Sequence, residues 1–189
     1  MIKKILILAV ILLLFGKTLF AEESLQNKII EVALGGMTSY GLHEAGHYLA
    51  AEAVGGKDVE FGRFVTWNGG VDGKTDNFMV SSAGFMTQNI GSEIALSIQE
   101  KHKTKSYFVL GILLHNFFQE TFYHEKKHYD DLHNMEKNSD LNEDEIRTFL
   151  AVKSIIDLYR FYHPDQKWSI WASRSMTGTI IGISFNFQF

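Results

Sequence analysis

The chain has 189 residues, 18 basic against 22 acidic side chains, a formal net charge of −4 and no cysteine. That length suits one compact domain with a real core, and the acidic balance argues against a nucleic-acid binder. Without cysteine there is no disulfide framework and no thiolate zinc site, so any metal must be held by His, Asp or Glu.

At the N-terminus, Lys3 and Lys4 precede an apolar run from Ile5 to Phe15, and Leu19-Phe20-Ala21 leads into Glu22-Glu23. This is the order of a secretory signal peptide, with cleavage expected after Ala21 and an uncleaved membrane anchor as the alternative. Removing residues 1–21 takes away Lys3, Lys4 and Lys17, which leaves 15 basic against 22 acidic side chains and moves the net charge from −4 to −7. The remaining 22–189 are expected to form a single exported domain of the cell envelope, periplasmic or membrane-associated.

Residues 29–54 predict a helix of mostly small and apolar residues. Gly35, Gly36 and Gly41 allow neighbours to approach closely, and Gly55-Gly56 ends the helix. Inside it, His43-Glu44-Ala45-Gly46-His47 is an HExxH motif. Residues four apart share a helix face, so both imidazoles can meet one metal ion. Glu44 then lies beside the open coordination position, where a carboxylate can take a proton from water. The plainer alternative is a buried pair of structural histidines; the metal site is the preferred reading.

Turn signals at Asn68-Gly69-Gly70 and Asp72-Gly73 predict a small β-hairpin over roughly 57–80. Residues 78–98 and 106–123 predict two apolar helices, the first interrupted by Gln88, Asn89 and Glu93, the second by His115, Asn116 and Glu120. Neither is a clean hydrophobic span, so membrane embedding stays open. His115 reads as a satisfied core histidine, whereas Glu93 and Glu120 are carboxylates within apolar segments and invite a function. A second match, His124-Glu125-Lys126-Lys127-His128, falls in a strongly charged stretch and reads as a solvated helix end.

Residues 143–161 predict an amphipathic helix whose core side would carry Ile146, Phe149, Leu150, Ile155, Ile156 and Leu158. In the tail, Ile181, Ile183, Phe185, Phe187 and Phe189 alternate with small or polar residues, which signals a strand within a β segment 168–189. Ending on Phe resembles the last strand of bacterial outer-membrane barrels, although an edge strand covering the core is the preferred reading. The fold class is therefore mainly α with a small β-hairpin and a C-terminal strand.

The stretch HEAGHYLAAEAVGG, a hairpin and then SSAGFMTQN together resemble the site-2 protease family of zinc metallopeptidases (peptidase family M50). The likeness covers roughly residues 38–133. It implies a zincin-like helical core, with His43 and His47 as zinc ligands and Glu44 as general base. It further implies a third ligand from Asp130 or Asp131 and a substrate-binding role for Asn89, which falls one residue later than the family spacing. The implied activity is hydrolysis of a peptide or protein substrate at or near a membrane. Residue chemistry agrees in kind, since two His and one carboxylate are a common catalytic zinc set.

Two other readings compete. Glu44-x-x-His47 and Glu125-x-x-His128 are also ExxH pairs, and with Glu93 and Glu120 they would compose a di-iron carboxylate centre. The other is a non-catalytic envelope protein whose histidines bind metal structurally.

Overall fold

A computed structural model of the chain describes residues 23–62, 64–103, 105–122, 131–165, 168–175 and 178–185, with only the backbone described at 23–24 and from 168 onward. The protein is mainly helical. Its elements are α1 (Glu23–Ala53), β1 (Glu60–Phe61), β2 (Val65–Thr66), α2 (Lys74–His102), α3 (Tyr107–Phe122), α4 (Asp131–Lys137), α5 (Glu143–Tyr162), β3 (Trp168–Ser175) and β4 (Gly178–Phe185). The signal-peptide segment 1–21, the second HExxH match, Asp130 and the terminal Asn186–Phe189 lie outside the described residues.

The four long helices alternate in direction. Lys28 lies over the Tyr107 ring and Ser39 bonds Asn116, so α1 and α3 run parallel. His47 meets Val80 while Leu42 meets Gly91, so α2 runs back along α1. Arg147 reaches the Thr121 carbonyl and Lys105 lies over Tyr162, which sets α5 antiparallel to α3. Two glycines let α1 and α3 touch backbone to backbone. A Cβ on Gly35 would strike the Phe108 carbonyl, and one on Gly111 would strike the carbonyl of Val32.

Local chemistry sets the element ends. Gly55, at φ 87°, closes α1 in a conformation that side chains resist. Asn142 and Glu145 form a reciprocal capping box at the start of α5. The hairpin is shorter than the sequence predicts. Its strands pair only Glu60 with Thr66 and Phe61 with Val65, and residues 74–80 already belong to α2. The predicted terminal strand is one arm of a hairpin, β4 pairing with β3 from Gly178–Ser175 to Phe185–Trp168.

The core is layered. Phe85, Leu132, Met135, Ile146 and Leu150 form one apolar cluster, and Leu96, Val109, Leu113 and Phe161 another. Between them along α2, α3 and α5 lie buried polar groups, among them Gln88, Ser92, Asn116, Glu120, Ser154 and Asp157. This layer corrects the expectation for α5. Ile155 is 54% exposed because the helix turns Lys153, Ser154, Asp157 and Arg160 inward instead. Arg160, wholly buried, is held by Glu93 at 2.7 Å and by Glu100 at 3.0 Å. Among the described residues no helix is long and apolar enough to cross a membrane.

Candidate metal centre

The HExxH residues lie in the C-terminal half of α1, pressed against the N-terminal half of α2. The two helices close together because Gly46 and Gly84 carry no side chain. A Cβ on Gly84 would sit 2.5 Å from His47 Nε2 and 2.6 Å from His43 Cε1. Small residues here are a condition for the imidazoles to fit at all.

Asp131, first residue of α4, brings its carboxylate to this pair from 84 and 88 positions further along the chain. His43 Nε2 and His47 Nε2 are 3.0 Å apart, and Asp131 Oδ2 is 3.2 Å from the first and 3.1 Å from the second. Three ligands at about 2.0–2.1 Å from a tetrahedral zinc ion would stand roughly 3.3 Å from one another, so the donor set has the right size.

Protonation logic sharpens this geometry. His47 Nδ1 faces the Val80 carbonyl at 2.7 Å, which can only accept, so that nitrogen carries the proton. His43 Nδ1 faces Gln88 Oε1 at 2.9 Å. The Gln88 amide is oriented by its other end, where Nε2 donates to Ser39 Oγ at 3.0 Å and to Gln119 Oε1 at 2.9 Å. With Nδ1 of each ring turned to an acceptor, both Nε2 atoms point at each other and at a carboxylate oxygen. A cation, either a proton on an Nε2 or a metal ion, has to hold three such atoms together.

The ionisation of the cluster carries the same message. Burial opposes charge on Asp131, but hydrogen bonds to both histidines hold its carboxyl at about 2. For His47, burial lowers the pKa, yet the Asp131 carboxylate and the Val80 carbonyl raise it above the ordinary imidazole value. Burial raises the pKa of Glu44, against the pull of His43 and of the Val65 amide. That amide, at the start of β2, donates to Glu44 Oε2 at 3.0 Å, so the small hairpin fixes the carboxylate's orientation.

Of the residues singled out in the sequence, His43, Glu44, His47 and Asp131 come together. Asn89 does not join them. Its side chain turns to Glu120, with Nδ2 at 3.5 Å from Oε1, and Gln88 occupies the place beside His43. Glu120 bonds Ser154, and Glu93 is engaged by Arg160 and Lys153, so neither carboxylate lies at the histidine pair. His115 is a member of the interior network, its Nδ1 at 3.0 Å from Ser39 Oγ, and burial lowers its pKa to about 4. Sequence reasoning missed Gln88 and Ser39. Their spacing from the motif, one helical turn before His43 and one partner helix away, carries no local signature.

A second grouping of possible ligands, His133, Glu136 and Glu143, lies half-buried near the start of α5. Its carboxylates already have structural roles: Glu136 accepts from the Glu143 amide, and Glu143 pairs with Arg147 at 2.8 Å. Comparison of the chain with protein-family models, with curated proteins and with solved structures finds no match.

Proposed function

We propose that the chain is a zinc-dependent metallohydrolase of the HExxH type, with a zincin-like core and a divergent likeness to the site-2 proteases, acting on peptide bonds at or near a membrane. One observation carries the reading: His43 Nε2, His47 Nε2 and Asp131 Oδ2 lie within 3.2 Å of one another, at the spacing of three ligands around one ion. Zinc bound there would supply a Lewis acid and lower the pKa of its water to about 7.

The chain's own groups account for the rest. Gln88 and the Val80 carbonyl hold the imidazoles in the tautomer that leaves Nε2 free. Asp131 supplies the anionic third ligand. Glu44, anchored on one oxygen by Val65, keeps its other oxygen for the proton of the attacking water, and its raised pKa suits a base working near neutral pH. Asp131 is the most open of the three ligands, its side chain 28% exposed against 2% for His43, so substrate would reach the site from its side.

The test is elemental analysis paired with a base substitution. Purified protein is expected to hold one zinc per chain, and Glu44→Gln to keep the zinc while losing at least a hundredfold in peptide hydrolysis. Unchanged hydrolysis in a zinc-loaded Glu44→Gln protein would leave only a structural metal site. Two irons per chain would instead favour the di-iron reading.

A further inference from the structure

Beside its apolar clusters, this protein buries polar side chains on some helix faces and turns apolar ones outward. Along α2, Met86, Ile90, Ile94 and Ile98 form one stripe, each of them more than half exposed. Across the same helix, Gln88, Ser92 and Gln99 are buried. The stripe ends in a basic stretch. Lys101 continues its face one turn past Ile98, and Lys103 and Lys105 follow, all three exposed.

Other elements bring matching groups to this pole. Gln99 bonds both the Ser106 amide and the Phe161 carbonyl, which ties together the end of α2, the start of α3 and the end of α5. Lys28 then lies 5.1 Å above the Tyr107 ring, and Lys105 lies 5.3 Å above the ring of Tyr162, itself 55% exposed. The acidic groups of this part of α2 face inward: Glu93 and Glu100 are both engaged by Arg160. What α2 presents outward from residue 86 onward is thus apolar along its length and cationic at its end.

We propose that this lysine- and tyrosine-bearing pole, with the isoleucine face of α2 that runs into it, docks on an anionic phospholipid surface. The inference rests on the reading that the chain works at a membrane, and it names the face that would meet it. Isoleucines on such a face enter the boundary between headgroups and acyl chains, while tyrosine rings sit at headgroup level. The lysine ammonium groups meet lipid phosphates, each adding about fivefold to the affinity. Charge complementarity selects the occupant, because among the described residues from Met86 to Lys105 every exposed charged side chain is a lysine. The contact is peripheral, as none of the described helices is suited to span a bilayer.

Flotation of the full chain with phosphatidylcholine vesicles, with and without phosphatidylglycerol, tests it. Residues 5–15 are apolar and would bind both kinds, so the readout is the gain that phosphatidylglycerol brings. Lys101→Gln/Lys103→Gln/Lys105→Gln is expected to lower that gain about a hundredfold. Ile94→Ser/Ile98→Ser is expected to weaken binding to both vesicle types. A phosphatidylglycerol gain untouched by the triple change would overturn the proposal. So would a dimer in lipid-free solution that the Ile94→Ser/Ile98→Ser protein loses, with vesicle binding intact, since the face would then pair two copies. Zinc content measured on the same samples is expected to stay constant, so failure of the lipid face and failure of the metal centre are separate results.

Discussion

At the scale of single residues, the proposed metal centre would depend on a side chain that no motif contains. Gln88 is fully buried, accepts from His43 Nδ1 and is itself oriented by Ser39 and Gln119. Replacing a partner of this kind usually costs ten- to a hundredfold in metal affinity, because the ligand loses its fixed tautomer and ring orientation. Gln88→Leu is expected to weaken zinc binding by roughly that factor, measured by competition with a chromophoric chelator. Asn89→Ala, one position on, is expected to leave zinc affinity unchanged, since Asn89 faces Glu120. Equal losses in both proteins would mean that α2 as a whole, and not the Gln88 amide, supports His43. His43, Glu44 and His47 were legible from spacing alone, because the helical period guarantees that residues four apart share a face. Asp131 was legible only as one of two neighbouring aspartates, and the Gln88 amide not at all, since each meets His43 through the meeting of separate elements.

At the scale of elements, helix packing turns on where a glycine meets a backbone. Gly111 abuts the Val32 carbonyl, and nothing stands within 4 Å of a Cβ built on Gly41. The two positions should therefore respond oppositely to the same substitution. Gly111→Ala forces α1 and α3 apart and is expected to destabilise by about 1–3 kcal/mol. Gly41→Ala should be neutral or should stabilise by up to about 1 kcal/mol, because alanine costs less backbone entropy within a helix. Urea denaturation of both proteins checks the pair, and a loss at Gly41 equal to that at Gly111 would refute the packing account. Long helices could be foreseen from composition, and α5 from its amphipathic pattern. The hairpin was foreseen too long, because turn signals mark where a chain bends but not how soon the next helix begins.

For the whole molecule, the polar middle layer makes stability depend on pH. Burial raises the carboxyl of Glu120 to about 8, against smaller opposing pulls from Ser154 and Lys153. A group whose pKa is raised on folding adds stability that is complete below its unfolded value, about 4.5, and is lost as pH rises through its folded value. Folding should therefore weaken between about pH 4.5 and 8, by on the order of 1.4 kcal/mol per pH unit for one proton. Asp157, raised by burial to about 6, pulls in the same direction over the lower part of that range. Glu120→Gln keeps the shape without the titration, so its stability should fall less steeply across that window than the parent's. Parallel slopes for the two proteins in a series of urea melts would place the titration elsewhere.

By itself the sequence determined the kind of the long elements and the chemistry available to them, whereas the short helix α4 was not foreseen. An apolar, glycine-bearing helix with HExxH can offer two imidazoles on one face, and a chain without cysteine must complete such a site with a carboxylate or a further histidine. Tertiary structure alone decided which carboxylate lies against the two imidazoles, which amide meets His43, and which way each helix turns its apolar side. The physical reason is one of range. Periodicity and capping act within a few residues, whereas the Asp131–His43 contact spans 88 positions and the Arg160–Glu93 pair spans 67. Such pairings exist only once separate helices have packed. For α5 in particular, packing buried Lys153, Asp157 and Arg160 and left Ile155 outside, the reverse of what its hydrophobicity alone would order.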